Sequence, residues 1–186
     1  MEHNTIFFHG WGYAGDFWQS YIKKTGLQSA SCYNRGYFGS YHKPLLKQGY
    51  NRCVTHSSGL LFAAQEYDLS AFDDIIIYAG FEAFPNKIVL KAMRFKIRKK
   101  NQQLQVISDF YALCGHVPNI QNMVINYEKL VDDLNFLEEY NLTTDINWRN
   151  ILHYTAYHGD NDPIITTPLR GAIILKNTGH LCNLIS

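Results

Sequence analysis

Thr55-His56-Ser57-Ser58-Gly59, continued by Leu60-Leu61-Phe62-Ala63-Ala64, is the stretch on which the reading of this 186-residue chain turns. It follows a β-rich run, Arg52 to Thr55, and opens a good helix start, so Ser57 falls on a sharp strand-to-helix turn. Such a turn exposes a hydroxyl and needs small neighbours where backbones approach closely, which Gly59 supplies. Thr55 stands where the G-x-S-x-G pattern has its first glycine, and a serine-rich helix N-cap carries the same local letters. The rest of the chain must therefore agree before the turn means anything.

Outward from it, short apolar runs end again and again at turn residues. Thr5 to Phe8 stops at His9-Gly10-Trp11-Gly12, Ala30 to Tyr33 at Asn34-Arg35-Gly36, and Asp74 to Tyr78 at Ala79-Gly80-Phe81. Ile151 to Tyr157 stops at His158-Gly159-Asp160, and Ala172 to Leu175 precedes Asn177-Thr178-Gly179-His180. Between the fourth and fifth of the six runs, about residues 86–148, apolar residues recur at helical spacing: Ile88, Leu90, Met93, Ile97, then Leu104, Ile107, Phe110, Leu113, then Leu130, Leu134, Leu137. The pattern predicts an α/β fold over residues 1–186 as one domain, a mostly parallel sheet flanked by helices with an inserted helical cap. In an open parallel sheet the site collects at the carboxyl ends of the strands, where polar residues follow nearly every run.

Composition narrows the classes. The chain is 46% hydrophobic with formal net charge +1, which fits a folded domain and gives no whole-chain signal for nucleic acid. Cys32, Cys53, Cys114 and Cys182 form no C-x-x-C pair, so neither a structural zinc site nor a disulfide scaffold is indicated, and they read as reduced thiols of a cytoplasmic protein. The N-terminal Met1-Glu2-His3-Asn4 lacks the positive region of a signal peptide, and no apolar run approaches the roughly 18 residues of a membrane span. No metal and no cofactor is expected.

Two late segments agree with the Ser57 turn. Asp160 and Asp162 follow the fifth run and Gly179-His180 follows the last, giving the chain order serine, acid, histidine. A weak serine nucleophile needs an imidazole as base, and the imidazole needs a carboxylate to fix its tautomer. Asp160 also suits a turn-capping role, whereas Asp162, followed by Pro163-Ile164-Ile165, fits the usual G-x-x-D-x-[IV]-[VI]-P pattern better. The expected catalytic set is Ser57, Asp162 and His180, with the backbone N–H groups of Trp11 and Ser58 as the oxyanion donors.

Through these motifs the sequence resembles the α/β-hydrolase superfamily over nearly its whole length. Phe8-His9-Gly10-Trp11-Gly12 with Phe17-Trp18 is similar to the pimeloyl-[acyl-carrier-protein] methyl ester esterases of biotin synthesis, especially their compact bacterial relatives. Asn34-Arg35-Gly36-Tyr37-Phe38-Gly39 resembles an R-G-Y-F-G signature of that branch, and Ala92-Met93-Arg94 through Ser108 to Gly115 resembles its cap. The resemblance implies a serine carboxylesterase that releases methanol from a pimeloyl chain on acyl carrier protein, without a cofactor.

Charge in the cap bears on that partner. Lys87, Lys91, Arg94, Lys96, Arg98, Lys99 and Lys100 include no acid among them, and Lys87, Lys91, Arg94 and Arg98 fall on one helical stripe. Such a stripe would steer an acidic carrier protein, although a charge run is often only a solvated face. RNA or an anionic membrane would also meet a basic helix, but neither explains the serine, acid and histidine motifs, so no nucleic acid and no stable membrane association are expected. Two alternatives stay open: a general esterase or thioesterase for small acyl groups, and a degenerate hydrolase-fold protein that binds without turnover. The second is motivated by Thr55 and by the six residues that follow His180.

Overall fold

Strands β1 (Asn4–Phe8) and β3 (Asn51–His56) are buried along almost their whole length, as central strands covered on both faces are, with Ile6, Phe7, Phe8, Cys53 and Val54 as their apolar part. The computed structural model describes residues 4–27, 29–116, 123–144, 148, 151 and 153–184. Met1 to His3, Leu152 and residues 117–122 and 145–147 of the anticipated cap lie outside the described residues. The remaining strands are β2 (Ala30–Cys32), β4 (Asp74–Tyr78), β5 (Thr155–Gly159) and β6 (Ile173–Leu175). All pair in parallel, in the order β2-β1-β3-β4-β5-β6.

That order reverses direction between β1 and β3. From β1 the chain moves outward to β2, then returns past β1 to β3 and continues the other way, so the crevice for a ligand opens at the carboxyl ends of β1 and β3. Helices α1 (Gln19–Thr25) and α2 (Gly59–Glu66) belong to the flanking layers. Between β4 and β5 come α3 (Lys87–Ile97), α4 (Gln103–Cys114) and α5 (Tyr127–Glu139), the anticipated cap helices. Asn86 and Asn126 cap α3 and α5 by accepting the amides of Val89 and Lys129.

Two expectations shift in detail. β5 begins at Thr155 instead of Ile151, because the Ile151 amide turns back to the Trp148 carbonyl at 3.1 Å. In α4 the buried residues are Val106, Ile107, Tyr111 and Cys114, whereas Leu104 and Leu113 are exposed. The helix is rotated so that the Tyr111 hydroxyl donates to the Gly12 carbonyl, a bond that the apolar spacing alone does not contain.

Three buried side-chain ties among the described residues fasten this cap to the sheet. Besides Tyr111, the Trp11 indole N–H donates to the Leu130 carbonyl at 2.9 Å, and its ring packs edge-on against Phe110. The third is buried and ionic. Arg35, just after β2, grips Asp133 of α5 with Nε at 2.7 Å and Nη2 at 2.6 Å, while the Tyr37 hydroxyl donates to the same carboxylate at 2.6 Å. Gln65, Tyr33 and Glu66 take the remaining guanidinium N–H groups, and Phe62 packs 4.1 Å beneath the plane.

Candidate active site

Ser57 follows β3 directly with φ of 55°, in the left-handed region that a non-glycine residue enters only under tertiary constraint. Its amide still donates to the Tyr78 carbonyl at 2.9 Å, so the ladder to β4 holds the turn from one side. Close approach holds it from the others: a Cβ on Gly59 would lie 2.5 Å from the Phe8 carbonyl oxygen, and one on Gly10 would lie 2.9 Å from Ser57 Cβ. Thr55 is an ordinary buried strand residue paired with Phe8 and Ile77, so the left-handed strain sits at Ser57 and the missing glycine is not needed for it.

The structure brings Asp162 and His180 together from the loops after β5 and β6. His180 Nδ1 lies 2.8 Å from Asp162 Oδ2, and both side chains are fully buried. The other carboxylate oxygen accepts the amides of Ile164 at 2.8 Å and Ile165 at 2.9 Å. Burial works to raise the Asp162 carboxyl, but the hydrogen bond and charge of His180, with the two amides, hold it below the usual carboxylate value. An ionised Asp162 fixes the Nδ1–H tautomer and leaves His180 Nε2 as a lone pair, and that nitrogen is buried with no hydrogen-bond partner among the described residues.

Asp160 does different work. It accepts the Thr178 amide at 3.2 Å and lies 4.0 Å from Lys176, pinning the loop that carries His180. The two loops touch so closely that a Cβ on Gly159 would lie 2.3 Å from the Gly179 carbonyl. His56 secures His180 from the serine side: its Nε2–H donates to the His180 carbonyl at 3.1 Å, with the two rings 4.9 Å apart.

Ser57 and Ser58 face a cavity of about 20 Å³ walled by Trp11, Phe81, Leu134 and Leu137. Beyond it a groove of about 520 Å³ opens between α3, α4 and the loop after Asp162, and the two spaces share Phe84, Met93, Phe110 and Ile164. Lys96 and Asp109 line the groove among apolar side chains. Trp11 and Ser58, the expected oxyanion donors, also meet here, but the Trp11 amide donates to the Ser58 hydroxyl at 2.7 Å.

The basic stripe is only partly free. Lys91 and Arg94 both pair with Glu138 of α5, at 3.3 Å and 2.6 Å, and Arg94 also donates to Asn135. Lys87 and Arg98 are exposed, as are Lys96, Lys99 and Lys100. Among the described residues no three His, Cys, Asp or Glu side chains group as metal ligands, all four cysteines are unpaired, and no helix is long and apolar enough to cross a membrane.

Two buried histidines of the loops that build the site, His9 and His56, tie it to pH. His9 Nδ1–H donates to the Gly10 carbonyl and Nε2 accepts the Arg35 amide, which uses both nitrogens of the neutral ring. Burial pushes His9 down to about 4 and, reinforced by neighbouring His180, pushes His56 down to about 3. Both lie below the unfolded value, so below pH 6.5 the unfolded chain binds protons that the folded chain does not. Stability is therefore full above pH 6.5 and falls as pH drops towards 4, with a slope approaching two protons, about 2.7 kcal/mol per pH unit. Urea unfolding at pH 7, 6 and 5 measures it, and equal stabilities at all three would contradict the neutral assignment.

Neither the protein-family models nor the curated proteins compared with the chain give a match. Solved structures do. The enol-lactonase of Burkholderia xenovorans superposes with a TM-score of 0.73 at 11% identity, covering 98% of this chain and 86% of that one. A thermophilic esterase from Thermogutta terrifontis gives 0.67 at 12% identity, covering 99% and 84%. BioG from Haemophilus influenzae gives 0.61 at 15% identity, covering 96% and 89%. The parallel six-stranded sheet, its flanking helices and these likenesses give this chain the α/β-hydrolase fold.

Proposed function

We propose that this chain is a serine carboxylesterase whose substrate is the methyl ester of a pimeloyl chain on acyl carrier protein. The observation that carries the esterase reading is the buried Asp162–His180 pair, with Nε2 unpartnered, in the same crevice as a left-handed Ser57. Ser57 Oγ attacks the ester carbonyl while His180 Nε2 takes its proton. The tetrahedral intermediate collapses, its C–O bond to the methoxy group breaks, and His180 returns the proton to release methanol. Water then adds to the acyl-enzyme by the same route in reverse, freeing the acid and restoring Ser57. In each half-reaction His180 takes up a proton and gives it back, and Asp162 stays ionised beside the transient imidazolium.

The finer substrate rests on the likeness of the His9-Gly10-Trp11-Gly12 and Arg35-Gly36-Tyr37-Phe38-Gly39 segments to the pimeloyl-carrier esterases, and on the structural likeness to BioG. A narrow cavity at Ser57 opening into a long apolar groove suits a linear acyl chain on a thin arm. Lys87 at the start of α3 and Arg98 just past its end, both exposed, with Lys91 and Arg94 shared with Glu138, would meet an acidic carrier surface. That sharing favours one second reading, a general small-acyl esterase or thioesterase in which the stripe serves only as a solvated face.

Hydrolysis of pimeloyl-carrier methyl ester and of p-nitrophenyl butyrate by the purified chain, each beside Ser57→Ala, separates the two. Ser57-dependent cleavage that prefers the carrier ester and weakens as salt rises is the expected result. Cleavage of the simple ester alone leaves the general esterase.

A further inference from the structure

Ser58 occupies the N-cap position of α2, yet its side chain makes no capping bond. Serines are favoured there because their oxygen accepts an amide of the first helical turn. Ser58 Oγ instead accepts the Trp11 amide, 47 residues away in sequence, at 2.7 Å. The residue is 1% exposed and faces the same small cavity as Ser57. A hydroxyl has one proton to give as well as lone pairs to receive. The Ser58 proton meets no acceptor among the described residues, and the cavity around it is walled by Phe81, Phe84, Leu90, Leu134, Leu137 and Ile164. An ester oxygen entering that cavity supplies the missing acceptor.

We propose that the Ser58 hydroxyl, held on the Trp11 amide, donates directly to the oxyanion that forms at Ser57. The inference rests on Ser57 being the nucleophile. Trp11 N–H then acts through Ser58 instead of touching the substrate: the amide polarises the hydroxyl, and the hydroxyl with the Ser58 backbone N–H holds the negative oxygen. No proton is transferred in this chain of bonds. The hydroxyl proton stays on Ser58 while the Ser57 proton goes to His180, so the arrangement adds a donor without adding a base.

Ser58→Ala separates this role from its opposite. It keeps the backbone N–H and frees the Trp11 amide to face the substrate. If Ser58 merely occupies a site meant for the oxyanion, kcat for p-nitrophenyl butyrate stays level or rises. A donating hydroxyl predicts that kcat falls on the order of 10²-fold while KM moves little. The affinity of an alkylboronic acid, whose tetrahedral adduct on Ser57 places an oxygen in the same position, should fall by a similar factor. Ser58→Cys keeps the shape with a weak donor and should show the same loss should the alanine variant fold poorly. Wild-type kcat in either folded variant, with Ser57→Ala inactive, overturns the role of Ser58 alone. A wild type without Ser57-dependent hydrolysis removes the esterase reading and this proposal together.

Discussion

Asp162→Asn is expected to lower kcat for ester hydrolysis by about 10⁴-fold, the scale of the same change in a serine protease, while Asp160→Asn costs less than tenfold. The asymmetry follows from the hydrogen bonds. Asp162 offers one oxygen to His180 Nδ1 at 2.8 Å and the other to two backbone amides. An asparagine that keeps those amides on its oxygen turns its NH2 towards Nδ1, which then becomes an acceptor. The ring proton moves to Nε2, the nitrogen that must be free to take the Ser57 proton. The loss should fall on kcat with KM nearly unchanged, because the substrate groove is untouched. Asp160 touches Thr178 and Lys176 and nothing that reacts, so its removal loosens a loop. Steady-state kinetics of the two variants checks this, and small, equal effects would contradict the assignment of the acid.

The largest effect on stability is expected at Asp133. Both Asp133 and Arg35 side chains are 2% exposed, and removing the carboxylate leaves the guanidinium buried among Tyr33, Phe62 and Gln65 with no full countercharge beyond the edge contact of Glu66 at 3.3 Å. Breaking one side of such a pair costs about 3–5 kcal/mol, whereas replacing both sides by apolar residues is often neutral. Asp133→Ala should therefore lower the urea midpoint sharply, and Arg35→Met with Asp133→Leu should recover most of the loss. Against a total stability of about 5–15 kcal/mol, the single change threatens folding itself. A loss below about 1 kcal/mol in Asp133→Ala would mean that the pair does not fasten the cap.

Much of this was open to a reader of the sequence. Five of the six strands lie within a residue or so of their apolar runs, because buried parallel strands are written as short apolar stretches and the turns after them need Gly, Asn or Ser. The placement of Ser57, Asp162 and His180 after three of those strands was legible for the same reason. Arg35 and Asp133 were not, being 98 residues apart, and no local pattern pairs an arginine after β2 with an acid on a cap helix. The run of cations on α3 was visible while Glu138 was not, since α5 pairs with Lys91 and Arg94 only once the helices pack. Asp160 and Asp162 are two residues apart and alike in composition, and only the hydrogen bonds to His180 and Thr178 tell them apart.

The nucleophile itself can be read directly by treating the purified chain with a fluorophosphonate and mapping the modified peptide by mass. The expected result is a single adduct on Ser57, absent in Ser57→Ala and formed far more slowly in Asp162→Asn. A folded chain that takes no adduct, or takes it on another residue, would contradict the account and leave a hydrolase-fold protein that binds an acyl ligand without turning it over.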